Sequence, residues 1–190
     1  MNTRHTRGGV VQRGFTLIEL MITLAMVAIL ASLAAPSFTT MMANQQLSTA
    51  ASELMTSALQ ARSLALKNNR RVLVQPITNG DWLTGWRVYE DAGLDGAFVA
   101  GTDPLFSESP PLASHITVGS LTGSGDNRSI ALIAYGGDGF LVSVTLGGNA
   151  NYNGSVLFSS TRTTRTKYVV VARTGRIRLC DPLIQPGCAP

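Results

Sequence analysis

Phe15-Thr16-Leu17-Ile18-Glu19-Leu20-Met21-Ile22-Thr23-Leu24-Ala25-Met26-Val27-Ala28-Ile29-Leu30-Ala31-Ser32-Leu33-Ala34-Ala35, followed by Pro36, is the stretch on which the architecture turns. It carries a single charge, Glu19. At about 1.5 Å per residue a helix of this length spans roughly 30 Å, the thickness of a bilayer's hydrocarbon layer, so it can cross a membrane. Arg4, Arg7 and Arg13 precede it without an acid, and no comparable basic cluster directly follows. That asymmetry predicts a cytoplasmic N-terminus, with the chain beyond Pro36 on the far side. A cleaved secretory signal is the competing reading, because Ser32-Leu33-Ala34 ends the run with small residues. Against it stand the length of the apolar run and Glu19, since an ionisable group inside such a helix costs at least about 2.5 kcal/mol and normally marks a function.

Beyond Pro36 the apolar positions Leu47, Ala51, Leu54, Ala58, Ala61 and Ala65 recur every three or four residues, while Glu53, Gln60, Arg62 and Lys67 lie outside that stripe. Asn68 and Asn69 then supply a stop signal. One helix from about Phe15 to Asn68 would be roughly 80 Å long, its second half packed on a sheet. Pro36 can kink or locally melt it, because the imide ring lacks an N–H and crowds the preceding turn. A coiled coil over residues 44–66 is disfavoured by a short stripe made mostly of alanine.

The whole chain has 190 residues, 45% hydrophobic and only 14% charged, with 19 Gly and 8 Pro. That is enough for one domain with an appendage, and it fits a turn-rich β domain better than a disordered polyelectrolyte. No repeat of 20 to 50 residues points to a solenoid. The formal net charge of +4 is unevenly spread: +3 over residues 1–14, −6 over 76–126 and +5 over 161–190. The middle repels polyanions and the C-terminal segment attracts them.

After Asn69 the pattern predicts strands over 71–77, 85–90, 115–121, 129–135, 139–146, 155–160, 167–173 and 176–180, separated by turns such as Gly136-Gly137-Asp138-Gly139. The expected fold is α+β, with a long N-terminal helix against an antiparallel sheet.

Arg13-Gly14-Phe15-Thr16-Leu17-Ile18-Glu19-Leu20, followed by the apolar helix and Pro36, resembles the processing and assembly signature of type IV pilins and of the pseudopilins of type II secretion. The resemblance implies a type IV pilin-like fold. It also implies a prepilin peptidase that cuts between Gly14 and Phe15 and methylates the new amino group of Phe15. Glu19 would then recruit a subunit by pairing with a neighbour's free amine, which agrees with the need of a buried carboxylate for a cation. Snorkelling of Glu19 to the interface is the bland alternative. The implied organisation is a leader over 1–14, a transmembrane and filament-core helix over 15–35, an amphipathic second half over 36–69 and a β-rich domain over 70–190. The implied location is the bacterial inner membrane and then a pilus or pseudopilus, with other pilins or pseudopilins as partners. Gly85-Trp86-Arg87-Val88-Tyr89-Glu90-Asp91, running on to Pro104-Leu105-Phe106, is similar to the region that distinguishes the GspH/FimT branch, which favours a minor subunit.

A two-residue turn at Thr174-Gly175 would set Arg173 opposite Arg176 and Val171 opposite Arg178. Arg165, Lys167, Arg173, Arg176 and Arg178 then share one face, with Tyr168, Val170, Ala172, Ile177 and Leu179 on the other. Gly175-Arg176-Ile177-Arg178 also resembles the Gly-Arg-x-Arg motif of FimT-like pilins, which implies binding of double-stranded DNA during natural transformation. Clustered guanidinium groups suffice for phosphate contact. The alternative is a solvated basic edge strand that discourages aggregation or docks on an acidic neighbour, in a purely structural tip subunit. Cys180 and Cys188 are the only cysteines, and in an oxidising periplasm a disulfide between them would contribute roughly 2 to 3 kcal/mol.

No cofactor, metal or enzymatic activity is expected. Asp91 to Gly96 lacks calcium-ligand spacing, with Gly93 at the third position and Thr102 at the twelfth. His115 is the one imidazole outside the leader, and nucleophile-elbow and Walker motifs are absent.

Overall fold

The computed structural model describes residues 14–78, 80–119, 121, 130–146, 149–151 and 154–185. The chain forms two compact units, Met1–Thr39 and Thr40–Pro190. One helix, α1 (Leu17–Asn68), contributes to both.

In the first unit Thr16 starts the helix. Its Oγ1 accepts the Glu19 N–H at 3.3 Å, and its carbonyl accepts the Leu20 N–H at 3.2 Å, which satisfies donors that a helix N-terminus otherwise leaves open. The hydroxyls of the apolar stretch bond back into their own helix, Thr23 to the Leu20 carbonyl and Ser32 to that of Ile29, so neither needs water. Among the described residues no single unbent helix is long and apolar enough to cross a membrane, but Leu17–Ser32 and Ser37–Asn68 meet the requirement together.

In the second unit the alanine-rich stripe is the helix face of the core. Leu47, Ala51, Leu54, Ala58, Ala61 and Ala65 are all fully buried. Small side chains let the sheets approach the helix axis closely. The helix stops at Asn69, which adopts φ 50°, and the Arg70 N–H closes back on the Ala65 carbonyl at 3.3 Å.

Among the described residues ten strands follow: β1 (Val72–Thr78), β2 (Asp81–Glu90), β3 (Leu105–Glu108), β4 (Ile116–Gly119), β5 (Ile133–Tyr135), β6 (Val144–Leu146), β7 (Asn149–Asn151), β8 (Gly154–Ser160), β9 (Thr163–Val171) and β10 (Ile177–Cys180). They form two four-stranded antiparallel sheets, ordered β3-β2-β1-β5 and β10-β9-β8-β4, plus the ribbon β6-β7. The single sheet expected from the sequence is therefore divided in two, and both parts join the α1 stripe in one core. Val72, Val74 and Val88 from the first sheet meet Val156, Phe158, Val169, Val171 and Ile177 from the second. The alternate side chains Leu73 and Tyr89 build a smaller cluster with Leu132, Ala134 and Val144. Strands β3 and β7 were not expected, and β2 begins four residues before the predicted start because its pairing with β1 continues to Thr78 and Asp81 beyond a register shift, with Gly85 at φ 85° in the shifted stretch.

Candidate functional site

Two regions bear the sequence-derived functional residues. At the N-terminal one, Gly14 precedes the helix with nothing within 4 Å of where a Cβ would stand, and Phe15 is 79% exposed. Glu19 is exposed in the first helical turn, where the helix dipole favours a carboxylate. The leader up to Arg13 lies outside the described residues.

At the C-terminal region the register differs by one residue from that expected. Ile177 pairs with Val171, Arg178 with Val170, Leu179 with Val169 and Cys180 with Tyr168. The reason is the turn. The Gly175 N–H donates to the Ala172 carbonyl and the Ala172 N–H to the Arg176 carbonyl, both at 2.8 Å, so Arg173, Thr174 and Gly175 form a three-residue loop with Gly175 at φ 78°. One added loop residue exchanges the faces. Val169, Val171, Ile177 and Leu179 point into the core, and Arg173 and Arg176 are not directly opposed.

The five cations expected on one strip are accordingly divided. Lys167 shares the core-facing parity of Val169 and is buried. Its Nζ donates to Asp181 Oδ2 at 2.6 Å, and Asp181 stands at the position that continues the β9–β10 register. The Lys167 hydrogen bond holds the Asp181 carboxyl below its usual range, against the opposing effect of burial. Lys167 is therefore a structural charge and not part of an exposed strip. Arg165, Arg173 and Arg176 are exposed, while Arg178 is half-buried on the face that also carries Val170.

The turn itself is clamped. The Arg62 Nη2 of α1 donates to the Thr174 carbonyl at 3.4 Å, the Leu141 N–H donates to the Arg173 carbonyl at 3.2 Å, and the Tyr135 hydroxyl reaches the Gly175 carbonyl at 3.5 Å. Burial pushes the Tyr135 hydroxyl up to about 12, so it remains a donor throughout the physiological range. A Cβ on Gly175 would overlap the Gly139 carbonyl oxygen and lie 3.2 Å from Arg62 Nε. The glycine of Gly-Arg-x-Arg is thus required twice, by conformation and by packing. Arg62, Tyr135 and Gly139 are the supporting residues that sequence reasoning missed. Their spacing in the chain gave no sign of the junction, although the run of glycines over 136–139 marked a place of close backbone approach.

The acidic middle segment serves its own loop. Asp91 pairs with Arg71 and accepts the Gly96 N–H, and Asp103 accepts the N–H groups of Ala92 and Val99 at 2.9 and 2.7 Å. Asp95 accepts the Ala97 N–H at 2.9 Å. Cys180 is fully buried at the end of β10, and Cys188 lies outside the described residues.

Residues 50–175 match the family described as type II transport protein GspH, and residues 11–35 match the prokaryotic N-terminal methylation motif. Among solved structures, the chain is similar to the type IV minor pilin FimU of Pseudomonas aeruginosa, at 17% identity and a TM-score of 0.50 over 72% of this chain and 90% of that one. It is also similar to the minor pseudopilin EpsH from the type 2 secretion system of Vibrio cholerae, at 8% identity and a TM-score of 0.48 over 72% of this chain and 98% of that one. No curated protein matches the chain.

Proposed function

The chain belongs to the GspH family, and from that premise we propose that it is a minor pilin or pseudopilin, built at or near the tip of a type IV pilus or type II secretion pseudopilus, whose C-terminal hairpin binds duplex DNA for uptake. In this reading residues 1–14 are a leader removed by prepilin peptidase between Gly14 and Phe15, and Phe15 is N-methylated. Residues 15–35 anchor the subunit in the inner membrane and later in the filament core, 36–69 continue the helix, and 70–190 form the domain outside the cytoplasm. Glu19 pairs with the amine of a neighbouring pilin or pseudopilin.

The subunit reading is carried by the apolar half of α1. Leu17, Ile18, Leu20, Met21, Ile22, Leu24, Met26, Val27, Ile29 and Leu30 are each half or more exposed in the isolated chain. Such a shell on all sides of a helix needs lipid and then other helices around it. Pull-down of the full-length protein from membranes tests it, with recovery of pilin or pseudopilin subunits expected and their absence refuting it. Mass analysis of the recovered chain should find an N-methylated Phe15, and a Glu19→Ala variant should be processed yet lose its filament neighbours.

DNA binding is supported by the exposed Arg173 and Arg176 at the turn, with Arg178 further along β10 and the exposed Arg165 near the other end of β9, while Asp181 is hydrogen-bonded to Lys167. The Cys180–Cys188 disulfide would pin the following tail beside them; there is no free cysteine among the described residues. The test is binding of random-sequence duplex to the detergent-solubilised full chain across a salt series. Log affinity should fall with log salt by about 0.9 per phosphate neutralised, and an Arg176→Ala, Arg178→Ala variant should bind more weakly. Absence of binding at low salt would leave a purely structural initiation or tip subunit.

A further inference from the structure

The hairpin turn has an aromatic neighbour that the DNA reading does not use. Phe140 is 51% exposed, and its backbone is fixed on both sides: its N–H donates to Asp138 Oδ1 at 3.0 Å, and its carbonyl accepts the Gly136 N–H at 2.9 Å. The next residue, Leu141, donates to the Arg173 carbonyl, and the preceding Gly139 is the residue against which Gly175 packs. A half-exposed aromatic residue thereby has its backbone held beside the turn that carries Arg173 and Arg176, with Arg62 reaching that turn from α1. Asp138 is the only acid between Arg128 and Cys180 in sequence, and its Oδ1 is occupied by the N–H of Phe140.

An exposed aromatic residue thus adjoins the turn that bears Arg173 and Arg176, the one offering a π-face and the other positive charge. A ligand with phosphates and accessible π-faces satisfies both features. In a duplex the base faces are covered by stacking except at the ends, while a single strand presents one at every nucleotide. We infer that Phe140 is a stacking platform for an unpaired base, so that the hairpin site takes single-stranded segments or frayed ends of DNA in preference to continuous duplex. This inference rests on the DNA reading above and specifies its substrate.

The experiment compares anisotropy titrations of labelled oligothymidylate, about 20 nucleotides long, and of a blunt duplex of the same length, both on the full chain in nonionic detergent at one salt concentration. Wild type should bind the single strand more tightly. Phe140→Ala should weaken single-strand binding at least about fivefold and change duplex binding by less than about twofold, while Phe140→Trp should retain single-strand affinity. Arg176→Ala should weaken both. Melting curves of the variants verify that the loop still folds. If the duplex binds and Phe140→Ala alters neither titration, or both equally, the ring does not stack on a base and DNA binding stands without it. If wild type binds neither probe, the DNA reading itself fails and the inference falls with it.

Discussion

Gly175→Ala probes the most constrained point of the hairpin, and its cost divides into two separable parts. A residue with a Cβ at φ 78° is strained by about 1 to 2 kcal/mol. The added methyl also overlaps the Gly139 carbonyl oxygen and crowds Arg62 Nε, and overpacking of this kind costs typically about 1 to 3 kcal/mol. The sum is about 2 to 5 kcal/mol, which for a domain of this size lowers Tm by roughly 4 to 20 °C. Two other glycines separate the parts. Gly101 adopts φ 86° with nothing within 4 Å, so Gly101→Ala carries only the backbone cost. Gly137 has no positive φ, but a Cβ there would overlap Asn69 Oδ1 and lie 2.9 Å from the Asn69 carbonyl carbon, so Gly137→Ala carries only the steric cost. Thermal melts of the three variants, followed by circular dichroism, should rank Gly175→Ala as the most damaging. A loss for Gly175→Ala no larger than that for Gly101→Ala would refute the packing of the turn against Gly139 and Arg62.

Asp181→Asn leaves Lys167 buried without its partner, and removing one member of a buried pair costs about 3 to 5 kcal/mol. Because the folded-state pKa of Asp181 is lowered, its contribution is complete above the unfolded-state value and is lost as pH falls through the folded one. Urea titrations should therefore show the gap between wild type and Asp181→Asn closing only below about pH 4. Ala58→Leu forces three extra carbons into the seam between α1 and the sheets and should destabilise by about 1 to 3 kcal/mol in the same assay. Arg176→Ala should weaken DNA binding and leave Tm unchanged, whereas Arg178→Ala should lower both, because the stem of a half-buried arginine on a sheet also packs. Equal effects of the two on Tm would count against their different burial.

How much could be read in the sequence depended on the range of the interactions involved. The α1 stripe and its stop at Asn69 follow from a local period and a residue type suited to a left-handed cap, and both were legible. The hairpin faces were not, because a turn of two residues and one of three differ by a single position that inverts every side chain beyond it. The alternation of Val169, Val171, Ile177 and Leu179 favours the observed register, but Val170 extends the apolar run and blurs that signal. β7, Asn149-Ala150-Asn151, has poor intrinsic strand propensity and owes its form to pairing with β6. The division into two sheets likewise depends on contacts between distant segments, which no local pattern records.

The charge pattern shows why a sum over sequence is a weak guide to a site. The C-terminal excess contains Lys167, which is neutralised by Asp181 across β9 and β10, so the pair adds nothing to the outward field. The acidic segment similarly commits Asp91 to Arg71 and Asp103 to backbone N–H groups. Arg62 belongs to neither run in sequence, yet its guanidinium joins the hairpin at Thr174. The cationic surface is therefore smaller than the strip read from alternation, with Arg173 and Arg176 at the turn and Arg165 near the opposite end of β9. It draws on α1, the 136–140 loop and the hairpin together. The turn that carries Arg173 and Arg176 rests on the close approach of Gly175 to Gly139 and Arg62, so that packing fixes where these two arginines stand.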